Sequence, residues 1–188
     1  HLKWFNKELV CSEYIEEVDP SNIESISLIY ASGYLNNPAS YYGHTMLRLN
    51  YKDFTKHSIV SGGAISYGAK NISNNPFVYI SKGILGGYQG RYTENDNFIN
   101  THNYTNRELR DVWEYELNLS SDETQYLLAQ LWELKRAEFK YFFFNDNCAH
   151  RIGRPIENIT NLKITHTHGF WLMPIQLIQN VNDQGNNS

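Results

Sequence analysis

The chain has 188 residues, of which 41% are hydrophobic, 19% charged and 14% aromatic, with a formal net charge of −4. That is long enough for one domain with a real core, and it is not the composition of a disordered chain. The acidic balance gives no electrostatic reason to expect nucleic acid as a partner, and no apolar run approaches the roughly 20 residues that a membrane-crossing helix needs.

No signal peptide is visible, and removal of a targeting segment or anchor ahead of His1 is compatible with this start. Trp4, Leu9 and Ile15 form a modest apolar stripe that predicts an N-terminal helix over about residues 4–17, with Cys11 as a small structural residue within it. The segment Asp19-Pro20-Ser21-Asn22 is a turn. "ESISLIYAS" (24–32) alternates and is rich in β-branched residues, which predicts a strand. "GYLNNPAS" (33–40) reads as loop. "HTMLRLN" (44–50) reads as a half-buried strand, with Met46 and Arg48 on one side and Leu47 and Leu49 on the other.

"HSIVSGGAISYGA" (57–69) predicts another strand, whose Gly62-Gly63 pair suggests a bulge. Residues 76–104, rich in Gly, Asn and Tyr, read as one or two short strands with long loops. "TNRE" (105–108) and "SSDE" (120–123) both carry capping-box spacing. The first leads to a strand-like "VWEYELNL" (112–119). The second opens a helix over about 121–137, with a stripe of Tyr126/Leu127, Leu131 and Leu134. "FKYFFFN" (139–145) is an extended apolar run, and the polar stretch Asn145-Asp146-Asn147 predicts a helix starting at or just before Cys148. That helix meets Gly153 and then Pro155, and an interior proline breaks or kinks a helix. Residues 180–188 read as a frayed tail. The elements together predict an α+β fold in a single domain spanning 1–188, with its core over about 24–160. Its antiparallel sheet would be joined by a helix carrying the cysteine at its N-terminus.

Cys11 and Cys148 allow one disulfide, which is no disulfide scaffold for a chain of this size. Cys148 at a helix start is different, because unpaired backbone N–H groups and the positive end of the dipole stabilise a thiolate there. A nucleophilic cysteine also needs a base. Among the seven histidines, His44 is the best candidate, since it opens a stiff strand behind Gly43, which lets another backbone approach. His150, two residues from Cys148 on a helix, points elsewhere.

"YYGHTMLRLN" (41–50) followed by "YFFFNDNCAHRI" (141–152), with "ISYGA" and "GGYQGRY" between them, resembles the Lnb N-terminal periplasmic domain family. The resemblance covers about residues 25–160. It implies a circularly permuted papain-like fold, with the histidine strand ahead of the cysteine helix. Lecithin:retinol acyltransferase-like proteins share that order, and NlpC-type cell-wall amidases share the core in unpermuted order. It further implies a bacterial envelope location, Cys148 as nucleophile and His44 as base. A third residue would orient the imidazole; Ser66 and His57 are both candidates. Tyr41, Tyr42 and Asn147 would line the site or donate to an oxyanion.

The expected chemistry is acyl transfer through a thioester, with N-acylation of lipoproteins as the family's implied reaction. The acyl donor would be a phospholipid, a lipoprotein or a peptide. Any membrane association would come through parts outside this chain. A thiol amidase or peptidase is the alternative enzyme. A tyrosine-rich envelope binding module is the alternative without catalysis, and it requires Cys148 to be buried, inert and far from His44. Thiol chemistry of this kind implies no cofactor. The rival metal signal, His166-Thr167-His168, lacks the HExxH or paired CxxC spacing of a zinc site, and the glycine-rich stretches lack P-loop spacing.

Overall fold

The computed structural model describes residues 11–33, 41–52, 63–96, 110–166 and 171–185. Six strands form one antiparallel sheet: β1 (Ile23–Ala31), β2 (His44–Tyr51), β3 (Gly63–Ala69), β4 (Tyr88–Asp96), β5 (Val112–Glu116) and β6 (Glu138–Tyr141). Their spatial order is β5-β1-β2-β3-β4-β6, so the predicted histidine strand β2 lies near the middle. Five α-helices accompany the sheet among the described residues: α1 (Ser12–Val18), α2 (Pro76–Leu85), α3 (Ser121–Lys135), α4 (Cys148–Ile159) and α5 (Pro174–Gly185). The expected α+β class is the one observed.

Alternation along the strands decides what packs where. Leu28 of β1 pairs with Leu47 of β2, which pairs with Ile65 of β3. All three sit in the main core with Leu127, Leu131, Ile152, Ile156 and Leu177 from α3, α4 and α5. The opposite face carries a smaller buried cluster of Ile29, Met46 and Ala64. There Arg48 pairs with Glu114 at 2.8 Å. The division of "HTMLRLN" into a Met46/Arg48 side and a Leu47/Leu49 side is thus realised.

Helix α3 opens with a full capping box, in which Ser120 Oγ accepts from the Glu123 N–H and Glu123 Oε2 accepts from the Ser120 N–H at 2.8 Å. It buries Leu127, Leu128, Leu131 and Trp132. Tyr126, expected in the inward stripe, is instead exposed, because the buried face is centred on Leu128 and Leu131. Trp132 also donates to Glu17 at 2.7 Å and meets Tyr14 edge-on, which fastens α1 to α3.

Three expectations need correction. The N-terminal helix over 4–17 is described only as Ser12–Val18, with exposed Cys11 as its N-cap; residues 4–10 lie outside the described residues, as do 57–62 and 105–108. The region from 76, read as strands and loops, begins with helix α2. Asn75 caps it, accepting from Phe77 N–H at 3.0 Å and Val78 N–H at 3.3 Å; Pro76 occupies its first turn, and Gly86 ends it with φ +72°. Residues 180–185, read as part of a frayed tail, belong to α5. The Asn180 amide donates to Ile164 O at 2.8 Å, and the Gln184 amide exchanges bonds with both backbone groups of Lys163.

Helix α4 runs unbroken through Pro155 to Ile159. Proline lacks an N–H, so the carbonyl four residues earlier, that of Arg151, loses its helical donor. The Tyr92 hydroxyl supplies the missing bond, donating to Arg151 O at 2.6 Å. Gly153 in the same helix admits its neighbours closely, since a Cβ there would lie 2.5 Å from Thr165 and 2.8 Å from Leu177. Replacing Tyr92 by Phe leaves the Arg151 carbonyl buried without a donor. We expect a loss of about 1–3 kcal/mol in urea unfolding; an unchanged midpoint would show that water satisfies that carbonyl instead.

Candidate active site

The polar stretch before Cys148 is a helix cap. Asn147 is buried, and its Oδ1 accepts from the Ala149 N–H at 3.0 Å and the His150 N–H at 3.3 Å. Its amide group donates outward, to Phe143 O at 2.9 Å and Leu172 O at 2.8 Å. One side chain therefore ties three segments together at the start of α4. Next to it, Asp146 accepts from both Arg151 and Arg154. The Arg151 guanidinium also lies 3.8 Å from the centre of the Phe139 ring.

The aromatic run ahead of the cap is divided among distinct contacts. Phe142 packs over Gly86 and Phe143 over Gly83, at the end of α2. Phe143 also meets Tyr79 with ring centres 4.7 Å apart, and Phe144 meets Trp171 at 5.1 Å. Tyr141 stacks on Tyr67 at 5.6 Å. These contacts surround Cys148 with apolar rings.

Cys148 is the first residue of α4 and is 4% exposed. His44, at the start of β2, makes a hydrogen bond with its sulfur, and the Thr45 N–H donates to it as well. The Thr45 hydroxyl also faces the sulfur, but it has no hydrogen bond of full geometry and so contributes less. By strand alternation His44 has the parity of Met46 and Thr45 that of Leu47. The His44 ring reaches the sulfur because it stands on the strand's terminal residue, at the rim of the sheet. Gly43 sets that position with φ +88°; a Cβ there would lie 2.8 Å from Ala31 O. The close backbone approach expected at Gly43 is present.

Burial works to raise the pKa of the Cys148 thiol. The charge and hydrogen bond of His44, with donation from Thr45, outweigh it and hold the thiol below its ordinary value. Burial, and next the charge of Cys148, keep the neighbouring Tyr141 phenol protonated well above its usual range. Burial likewise lowers His150 to about 4, helped by the charge of Arg154. Its Nδ1 lies 3.1 Å from Asn147 Oδ1. An amide oxygen only accepts, so this bond requires the His150 proton on Nδ1.

A cavity of ≈60 Å³ opens beside the sulfur, lined by Tyr42, Tyr79, Tyr141, Phe143, Trp171 and Met173 among others. Whole-ligand pockets measure about 300–1,000 Å³, so this one accepts a reacting group rather than an entire substrate. Tyr42 and Trp171 are 51% and 48% exposed, and they extend the apolar lining to the surface.

Tyr41, another candidate, stands half-exposed, edge-on to Tyr42 at 5.0 Å. The Ser66 hydroxyl is hydrogen-bonded to Thr93 at 3.1 Å. His57 lies outside the described residues, as do Thr167 and His168, while His166 pairs with Glu157 at 3.4 Å. Asn147 is a cap and a clamp, and its amide hydrogens are both engaged. Tyr141 and Thr45 carry no signal of their own in the sequence. Both flank motif residues, Tyr141 in the aromatic run and Thr45 after His44, yet nothing in a linear pattern says that they converge on one sulfur.

The sequence profile of the Lnb N-terminal periplasmic domain matches residues 12–184. The chain belongs to that family. The matched span of this Lnb-type domain includes both His44 and Cys148. No curated protein and no solved structure matches the chain. Among the described residues, no helix is long and apolar enough to cross a membrane, and no three His, Cys, Asp or Glu side chains come together as a metal site.

The His150 environment sets a pH dependence. The unfolded chain takes up a proton near the ordinary histidine value of 6.5, whereas folded His150 resists it down to about 4. The folded state therefore binds fewer protons in that window. The contribution to stability is complete above pH 6.5 and is lost as the pH falls toward 4. Urea unfolding across that range should show the decline, and His150→Gln should flatten it. An identical slope in the variant would assign the acid sensitivity to another group.

Proposed function

We propose that this domain performs cysteine-dependent acyl transfer through a thioester, in a permuted papain-like arrangement in which the histidine strand precedes the cysteine helix. The observation that carries the reading is the hydrogen bond between His44 and a Cys148 sulfur held at the first turn of a capped helix. A binding module with an inert cysteine calls for a buried Cys148 far from His44; the thiol is buried, and its interaction with His44 is what favours the catalytic reading. The order of β2 and α4 in the chain supports the permuted arrangement.

In this reading the Cys148 thiolate, its proton held by His44, attacks an acyl carbonyl and forms a C–S bond. The tetrahedral species collapses, and the leaving group departs with the proton from His44. An acceptor enters next, an amine for transfer or water for hydrolysis. His44 removes its proton, the acceptor attacks the thioester, and the C–S bond breaks to regenerate the thiolate. The small apolar cavity suits the first carbons of an acyl group beside the carbonyl, with the remainder of the donor lying over Tyr42 and Trp171. The family's periplasmic description fits a donor from the cell envelope: a phospholipid, a lipoprotein or a peptide.

The test uses a Cys11→Ser background, so that Cys148 is the sole thiol. Iodoacetamide should label Cys148 rapidly well below the free-cysteine pKa of about 8.5. Incubation with a short-chain p-nitrophenyl ester should leave an acyl adduct on Cys148 by mass spectrometry. His44→Ala should slow acylation by about 10²–10⁴, the usual contribution of a positioned base. Labelling that is slow and indifferent to His44 would sink the catalytic reading.

A further inference from the structure

An acyl-transfer site has to stabilise the negative charge that gathers on the carbonyl oxygen in the tetrahedral intermediate, usually with two preorganised donors. One comes from the helix start. The Asn147 cap takes the N–H groups of Ala149 and His150 and leaves that of Cys148 aside, so this N–H can face a carbonyl under attack by the adjacent sulfur. The second donor is not Asn147, since Phe143 O and Leu172 O occupy both of its amide hydrogens.

Tyr141 offers a candidate hydroxyl. It lines the same small cavity as Cys148. Its ring is clamped between Tyr67, stacked at 5.6 Å and 20°, and Phe143, edge-on at 6.2 Å. It stands at the end of β6, paired with Tyr88 of β4, so the backbone that carries it belongs to the sheet. Tyr42 also lines the cavity, but it is 51% exposed, whereas Tyr141 is partly buried and clamped between rings. A donor in free contact with water is screened and must be reoriented during the reaction more than a clamped one.

We propose that Tyr141 is a catalytic residue of this site, donating its phenolic hydrogen to the oxyanion together with the Cys148 backbone N–H. The role rests on the acyl-transfer reading above and adds to it a role for the first residue of "YFFFNDNCAHRI". The phenol suits the role because burial and the neighbouring sulfur charge oppose its ionisation, so the hydrogen stays on the phenol as the thiolate forms beside it. In the cycle the hydrogen stays on Tyr141: its bond shortens as the carbonyl oxygen becomes anionic and relaxes when the C=O bond re-forms.

Two reactions of the same thiol separate this role from a structural one. Alkylation by iodoacetamide displaces iodide at a saturated carbon and generates no oxyanion. Acylation by p-nitrophenyl acetate passes through one. In the Cys11→Ser background, Tyr141→Phe should slow acylation by about 10²–10³ while leaving the rate and pH profile of alkylation as they were. Incorporation of 3-fluorotyrosine at position 141, which keeps the ring and the hydroxyl, should restore acylation. Acylation unaffected by Tyr141→Phe overturns the proposal, and so does a parallel fall in both reactions that 3-fluorotyrosine does not repair. Parent protein that alkylates but never acylates refutes the acyl-transfer reading itself, which is a different result from either of these.

Discussion

The side chain of Asn147 is the junction on which the site depends. Its oxygen closes the first turn of α4, and its amide hydrogens hold the carbonyls of Phe143 and Leu172. A capping residue is ordinarily worth about 1 kcal/mol to a helix. Here the same group also fixes the aromatic run on one side and the 171–174 segment on the other, and both supply walls of the cavity beside Cys148. Being buried, the amide has no water to replace those partners, so the loss of any one bond would leave an unsatisfied group. One polar side chain thus helps to fix both the position of the sulfur and the walls of its cavity.

The rest of α4 is built to hold that first turn against the sheet. Ile152 and Ile156 are fully buried, each contributing about 1.5–3 kcal/mol by removal from water. Asp146 anchors Arg151 and Arg154 one and two turns further on. The sheltered Asp146–Arg151 pair contributes little net stability once desolvation is counted, and its effect is to select a single geometry; Arg154 is half-exposed. Pro155 would ordinarily weaken such a helix. It is tolerated because Tyr92, on β4, donates to the carbonyl that the proline leaves open, so a local defect becomes a tie between helix and sheet. Opposite Cys148, the positive φ of Gly43 brings β2 close to β1 and sets His44 at the sheet rim. Cys148 on a helix and His44 on a strand are thus brought together largely by contacts of their neighbours.

Several features are legible in the chain alone because they are local. Alternation in "HTMLRLN" separates the two faces of β2. The Ser120–Glu123 spacing marks the start of α3, and Asn147 marks that of α4. Helix α2 escapes the pattern because Phe77, Val78, Ile80, Ile84 and Leu85 are all apolar and exposed, so no polar face reveals a helical period. Its Asn75-Pro76 start and Gly86 end are the usable signals. The end of α5 is rich in Asn and Gln and resembles a solvated tail, yet Asn180 and Gln184 bond to the backbone of residues 163–164, which only the folded arrangement brings near.

By itself the sequence determined the α+β class of the domain and singled out Cys148 and His44 as its candidate pair, since periodicity, capping and the paired glycine–histidine and asparagine–cysteine motifs act over a few residues each. Tertiary structure decided which groups share the sulfur's surroundings. Thr45 and Tyr141 lie on different strands, and the amide of Asn147 is spent on carbonyls 4 and 25 residues away. The behaviour of a buried thiol is a sum over neighbours in space, and no spacing along the chain records which groups the packing of α4 on β2 will bring within reach.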